Sequence, residues 1–221
     1  MSVNHLEKKI IVAGIGPGNK TYTTPAALEK IQAAKFLLGG KRALSDFASE
    51  NQETFSITSD LESALNFIRE KILIDNVVVM VSGDPGYFSM LDLIRKNFSP
   101  SKIEVIPSIS AMQLAFAKLS LSWSFAKLLS FHGRKPADED LKFEKGKILG
   151  LLTDAEFNSK TISKILLEFG WEKNSDIAIC SRLSYPDEKI ILTTLEKAAD
   201  SEPIKHCILI VGKNLTEIHQ N

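Results

Sequence analysis

The stretch NVVVMVSGDPGYFSMLDLI, residues 76–94, narrows the folds open to this chain more than any other segment. Val77–Val81 is apolar throughout, too short for a membrane span and without polar alternation. A strand of that kind has to be covered on both faces, as strands inside a parallel α/β sheet are. It runs into Ser82-Gly83-Asp84-Pro85-Gly86, and a new apolar pattern (Met90, Leu91, Leu93, Ile94, Phe98) then begins at helical spacing. Strand, glycine-rich turn and helix in that order form the repeating unit of an α/β fold.

The rest of the first half repeats this alternation. Strands are predicted at 9–13, 35–38, 54–57, 76–81 and 102–106. Between them fall helical patterns, clearest in Leu61, Ala64, Leu65, Ile68 and Ile72 and again in Ile109, Met112, Phe116 and Leu119. Past about residue 120 the rhythm changes. Strands are predicted at 126–131, 147–152, 176–181, 189–193 and 206–211, and Ser184-Tyr185-Pro186-Asp187 reads as a turn between antiparallel neighbours. One helix presents Ile162, Ile165, Leu166 and Phe169 and stops near Gly170, where glycine supplies the usual C-terminal cap. The expected architecture is therefore two α/β domains. Residues 9–119 carry a parallel sheet, residues 120–221 a mixed one, and a cleft lies between them.

Composition removes several functions. Lys plus Arg and Asp plus Glu both total 27, so the net charge is zero and the basic excess of a nucleic-acid binder is missing. No apolar run approaches a membrane span, and the N-terminal MSVNHLEKKI lacks an apolar signal core, so a cytoplasmic protein is expected. Cys180 and Cys207 each sit in an apolar strand-like run and read as buried structural thiols. His5, His132, His206 and His219 are scattered without metal-ligand spacing, so no metal is expected.

Three strand-end loops concentrate the unusual residues. VAGIGPGNK, residues 12–20, invites a dinucleotide-binding reading but places Asn19 at the third glycine position and Pro17 where an amide donor would be needed. The helix starts later, with Thr24 as N-cap and Pro25 at its first position, and the second strand ends in Gly39-Gly40 with no acid to bind a ribose. In the second loop, Gly83 and Gly86 allow a ligand to approach the main chain, while Asp84 would either bind that ligand or tie down its own turn. In the third, Pro107 ends a strand, and Ser108 or Ser110 would either cap the next helix or leave its amides to an anionic group.

GIGPG at 14–18, SGDPGYFS at 82–89 and PSISAMQLAFAKLSLSW at 107–123 together resemble the tetrapyrrole methylase family. SFHGR at 130–134 and SRLSYPDEKI at 181–190 are similar to its corrin branch, which methylates C5 of a cobalt-precorrin-7 or precorrin-6Y type intermediate in cobalamin synthesis. The resemblance spans about 9–211 and implies S-adenosylmethionine bound in the interdomain cleft, largely by main-chain groups. Carried over by position, the cofactor residues are Ile15, Gly16, Pro17, Gly83, Asp84, Tyr87, Phe88, Ser108, Ile109, Ser110 and Ala111, with Leu152, Arg182 and Leu183 from the second domain. The family usually has glycine where this chain has Ser108.

The chemistry implied is attack of an electron-rich ring carbon on the sulfonium methyl, in which alignment supplies most of the acceleration and no nucleophilic side chain is required. His132 is the candidate base for the ring proton, with a loop hydrogen bond as its alternative role. Gly18, Arg134 and Lys135 are assigned to the carboxylate-rich tetrapyrrole, or, for the two cations, to solvent. The resemblance further implies a homodimer and, since the chain ends at Asn221, a separate partner enzyme that methylates C15 and decarboxylates. Three alternatives stay open: a family member with another acceptor (ribosomal RNA, a diphthamide precursor or uroporphyrinogen), a nucleotide-dependent oxidoreductase, and a sensor without turnover.

Overall fold

Every strand predicted above forms, with ends shifted by no more than one or two residues. The computed structural model describes residues 7–213 and Leu215; His5 and His219 lie outside the described residues. The chain divides into two compact units, one up to Ser110 and one from Ala111.

In the first unit β1 (Ile10–Gly14), β2 (Phe36–Gly39), β3 (Glu53–Ser56), β4 (Val77–Val81) and β5 (Ile103–Ile106) pair in the order β3-β2-β4-β1-β5. All the pairings are parallel. The continuous apolar runs are explained by what covers each face. Ile10, Val12, Val77 and Val79 pack with Ala64 and Ile68 of α3 (Leu61–Lys71) and Ile94 of α4 (Leu91–Asn97). The alternate residues Ile11, Ala13, Val78 and Met80 pack with Ala27 and Ile31 of α1 (Pro25–Ala33) and Ala43 of α2 (Lys41–Phe47).

Local chemistry sets the helix ends. Thr24 caps α1 by accepting from the Ala27 amide, with Pro25 at the first position as predicted. Its C-terminal end is closed by a residue far along the chain: Gln52 Nε2 donates to the Ile31 and Ala34 carbonyls at 2.7 and 2.8 Å. Asp60 caps α3 through the Ser63 amide, and Leu61, at the first helical position, is 43% exposed and does not join the buried stripe expected of it.

The second unit holds β6 (Ala126–Ser130), β7 (Ile148–Leu152), β8 (Asp176–Ser181), β9 (Lys189–Thr194) and β10 (Cys207–Gly212) in the order β6-β7-β10-β8-β9. Only β6 and β7 are parallel. Leu149, Leu151, Ile177 and Leu209 pack with Ile162 and Leu166 of α7 (Ser159–Glu168) and with Leu195 and Ala198 of α8 (Leu195–Asp200). On the opposite face α5 (Ala111–Lys118) lies close against β7, because Gly150 has no side chain; a Cβ there would stand 2.7 Å from Met112 Sδ. That packing groups α5 with the second sheet, so the division falls ahead of the 119/120 boundary read from the sequence. Gly170, at φ +87°, ends α7 as expected. Cys180 and Cys207 are free and buried, and burial pushes the thiols up to about 12 and about 11. They pair with Ile208 and Ser181 respectively, which puts them on opposite faces of the sheet. Among the described residues no helix is long and apolar enough to cross a membrane.

The order β4-β1-β5 sets three carboxyl ends side by side in the first unit, and their loops converge on Gly14. A Cβ on Gly14 would stand 2.7 Å from the Gly83 carbonyl oxygen, 2.7 Å from Ser108 Cβ and 2.8 Å from Pro85 Cδ. Because one of these is backbone and another a proline ring, Gly14→Ala is expected to cost about 1–3 kcal/mol of stability. Gln52→Ala, which strands two carbonyls at the end of α1, is expected to cost about 1–3 kcal/mol. Urea denaturation reads both, and a midpoint like that of the parent protein would refute the contact concerned.

Candidate active site

Past the end of the parallel ladder, the loops after β1 and β4 continue to pair. The Ile15 amide donates to the Val81 carbonyl at 3.0 Å, and Gly16 and Gly83 exchange amide-to-carbonyl bonds of 3.3 and 2.8 Å as an antiparallel bridge. That reversal of direction requires left-handed backbone at both glycines, φ +78° at Gly16 and +71° at Gly83. Ile15 is buried, and its carbonyl accepts from Thr23 Oγ1 at 2.9 Å. Pro17 is half-buried and Gly18 buried. The Gly18 carbonyl accepts from Arg42 Nη1 at 3.1 Å, while Arg42 Nη2 donates to Ser82 Oγ at 3.4 Å. Arg42, on α2, thus joins the first two loops, a role that nothing in its local sequence signals.

Asp84 joins the second loop to the third. Oδ1 accepts from the Gly86 amide at 2.8 Å and Oδ2 from the Ser108 amide at 2.9 Å. The first bond closes its own turn, and the second, to the third loop, goes beyond either role read from the sequence. Ser108 does not use its hydroxyl to cap α5; Oγ donates to the Tyr22 carbonyl at 3.2 Å. Phe88 adopts φ +48°, rare for an aromatic residue, and is 56% exposed, with its ring edge-on to Tyr87 at 4.9 Å. Tyr87 Oη is buried without a hydrogen-bond partner among the described residues, and burial raises its pKa. Ile109 is 40% exposed, Ser110 is buried and Ala111 opens α5.

These features suit an adenosyl cofactor. The loops place main chain, apolar surface (Phe88, Ile109) and an orphaned phenol donor at one end of the sheet, and the charged side chains that join them, Asp84 and Arg42, are already engaged with loop backbone. Nucleosides and thioethers are bound by such surfaces, with a few polar groups fixing orientation.

In the second unit the expected residues gather at one end of the mixed sheet. Ser130 pairs with Leu152, Leu152 with Ile208, and Cys207 with Ser181. Leu152, the last residue of β7, and the loops holding His132 and Arg182 therefore lie at the same end of the sheet. The Phe131 amide donates to the Leu152 carbonyl at 2.9 Å, next to an exposed His132. Arg134 is exposed, with no ion pair or hydrogen bond among the described residues. Lys135 differs: its ammonium pairs with Asp138 at 2.7 Å and lies 5.1 Å from the centre of the Phe169 ring. The Arg182 guanidinium is also engaged. It stacks on Tyr185 at 4.3 Å, and Nε donates to both Asp187 carboxylate oxygens, which raises its pKa further. The Arg182 backbone is left-handed at φ +53°, beside buried Leu183. Asp154, which the sequence reading passed over, holds this edge together; the Gly133 amide, foremost, draws its carboxyl below the usual range. Among the described residues no cluster of three His, Cys, Asp or Glu side chains is placed to hold a metal ion.

Comparison with known proteins follows the same pattern. Residues 9–199 match the family model described as Tetrapyrrole (Corrin/Porphyrin) Methylases. A probable cobalt-precorrin-7 C(5)-methyltransferase of Methanocaldococcus jannaschii is 30% identical over 202 residues, covering 87% of this chain and 92% of the relative. A cobalt-precorrin-7 C(5)-methyltransferase of Salmonella typhimurium is 32% identical over 164 residues, covering 73% and 79%. The structure of a uroporphyrin-III C-methyltransferase from Thermus thermophilus, complexed with S-adenyl homocysteine, superposes with a TM-score of 0.74 at 20% identity, covering 96% and 95%. A likeness of that kind speaks for the fold, and the model match together with the Methanocaldococcus relative speaks for descent. On those grounds the chain belongs to the tetrapyrrole methylases.

Proposed function

We propose that this protein is an S-adenosylmethionine-dependent C-methyltransferase acting at C5 of a corrin precursor of the cobalt-precorrin-7 type, in cobalamin biosynthesis. The observation that carries the reading is the relation to the probable Methanocaldococcus C(5)-methyltransferase, which covers 87% of this chain and 92% of the relative, beside a family match over residues 9–199 that includes every loop described above. The cofactor, when bound, supplies an electrophilic sulfonium methyl group. The chain's part is to hold and orient. Ile15, Gly16, Pro17, Gly83, Asp84, Tyr87, Phe88, Ser108, Ile109, Ser110 and Ala111 form the cofactor loops of the first unit, and Leu152, Arg182 and Leu183 are the cofactor residues of the second.

For the acceptor, Gly18, Arg134 and Lys135 are the binding residues. Arg134 is the stronger carboxylate ligand, because the Lys135 ammonium already has Asp138. The His132 imidazole takes the proton released from the methylated ring carbon. The same reading assigns C15 methylation and decarboxylation to a separate enzyme. It also has the protein act as a cytoplasmic homodimer, which sedimentation at several concentrations would test.

Calorimetric titration with S-adenosylmethionine, S-adenosylhomocysteine and NADH in parallel tests the cofactor. Dissociation constants of roughly micromolar order for the first two and no heat from NADH are expected; the reverse would sink the reading. With cobalt-precorrin-7 as acceptor, Arg134→Ala is expected to raise the acceptor KM by roughly tenfold without changing cofactor affinity. His132→Asn is expected to lower kcat by roughly a hundredfold or more. An unaltered kcat would remove His132 from the proton transfer.

A further inference from the structure

We infer that Asp154 is a positioning residue for the acceptor side of the site, holding the turn His132-Gly133-Arg134 in its working conformation; the inference rests on the acceptor role proposed for that turn. Asp154 stands just past β7, where Thr153 fixes the direction of the chain. Thr153 Oγ1 donates to the Cys207 carbonyl and accepts from the Cys207 amide, both at 2.8 Å and both buried. The two carboxylate oxygens of Asp154 then do different things. Oδ1 accepts from the Glu156 and Phe157 amides at 2.9 and 2.7 Å, which closes a local turn. Oδ2 reaches back to the Gly133 amide at 2.8 Å, 21 residues earlier and immediately after His132.

The second bond does nothing for the local turn, which Oδ1 already completes. Its effect falls on the His132 turn, which has little else to fix it. Gly133 is left-handed at φ +75°, and a Cβ built on it would meet nothing within 4 Å, so packing does not impose that conformation. His132, Gly133, Arg134 and Lys135 are all exposed. The turn's other ties lie at its ends, in the His132 amide to Ser130 Oγ at 3.2 Å, the Phe131 amide to the Leu152 carbonyl, and the Lys135 pair with Asp138. A charged acceptor on a backbone amide is among the stronger hydrogen bonds available. The negative charge also lies close enough to His132 to interact with it electrostatically.

Asp154→Asn separates the two functions. The asparagine oxygen can still receive the Glu156 and Phe157 amides, but its NH2 group then faces the Gly133 N–H, donor against donor. Three readouts are needed: hydrogen exchange at the Gly133 amide, kcat and KM for the cobalt-precorrin-7 acceptor, and S-adenosylmethionine affinity by calorimetry. The expected result is faster exchange at Gly133 and a loss of roughly ten- to a hundredfold in acceptor kcat/KM. Cofactor affinity should stay within roughly twofold of the parent. Gly133→Ala, which strains the same turn with open space around it, should reproduce the acceptor loss even if Asp154→Asn fails to fold. Acceptor kinetics like the parent's in either folded variant would overturn the inference and leave Asp154 as a turn cap. A parent protein that binds the cofactor but methylates no tetrapyrrole would instead overturn the acceptor reading, and the inference with it.

Discussion

The mutual hydrogen bonds between Gly16 and Gly83 are the constraint on which the first unit's functional end depends. A parallel sheet gives its loops no pairing of their own; each leaves its strand and turns away to a helix. Here two loops meet again past the ladder and run briefly antiparallel. That meeting needs left-handed backbone at two positions and no Cβ at Gly14, a combination of demands that glycine meets. With the bridge in place, Asp84 lies within reach of the Ser108 amide, and Arg42 spans Gly18 and Ser82. The loops after β1, β4 and β5 become one connected surface.

The second unit reaches a comparable result with different means. Its sheet is mixed, and the edge that carries His132, Leu152 and Arg182 is assembled by strand register, with polar side chains binding backbone across it. Thr153 and Asp154, adjacent in sequence, secure the first residue of β10 and the turn after β6. Arg182, held against Tyr185 and Asp187, has its side chain committed to its own loop, and the backbone carries the unusual geometry.

The sequence was most legible where a single physical pattern decides the outcome. Double-faced burial makes β1, β2, β4 and β10 continuously apolar, so these strands could be read directly, and Thr24-Pro25 and Gly170 marked helix ends because capping is local chemistry. The short helices α2, α8 and α6 (Asp138–Leu141) were not picked out; α4, no longer than α2, showed because its apolar pattern runs on from Met90 to Phe98. Leu61 and Ile109 fit the apolar spacing yet are exposed, one at the first position of α3 and the other ahead of α5. Within the site, the glycine loops were visible as composition. What Asp84 and Ser108 bind across the loops was not, nor were Arg42, Gln52 and Asp154 visible as tethers, because those partners lie 18 to 86 residues away and no local pattern encodes such a reach.

A surface assembled from main chain has an unusual tolerance to substitution. Where side chains do the recognising, exchanging them changes what is recognised, and glycines can often be replaced without loss. In the loops after β1 and β4 the relation is inverted. A methyl group at Gly14 would press on the loops after β4 and β5, whereas the amide-to-carbonyl bridge is made by the main chain of Gly16 and Gly83 and uses no side-chain atom of Pro17 or Phe88. Variation is therefore cheapest at the side chains that frame this surface and costliest at the residues that have none. A scaffold of this kind can vary the side chains that frame its surface while the backbone beneath them stays fixed.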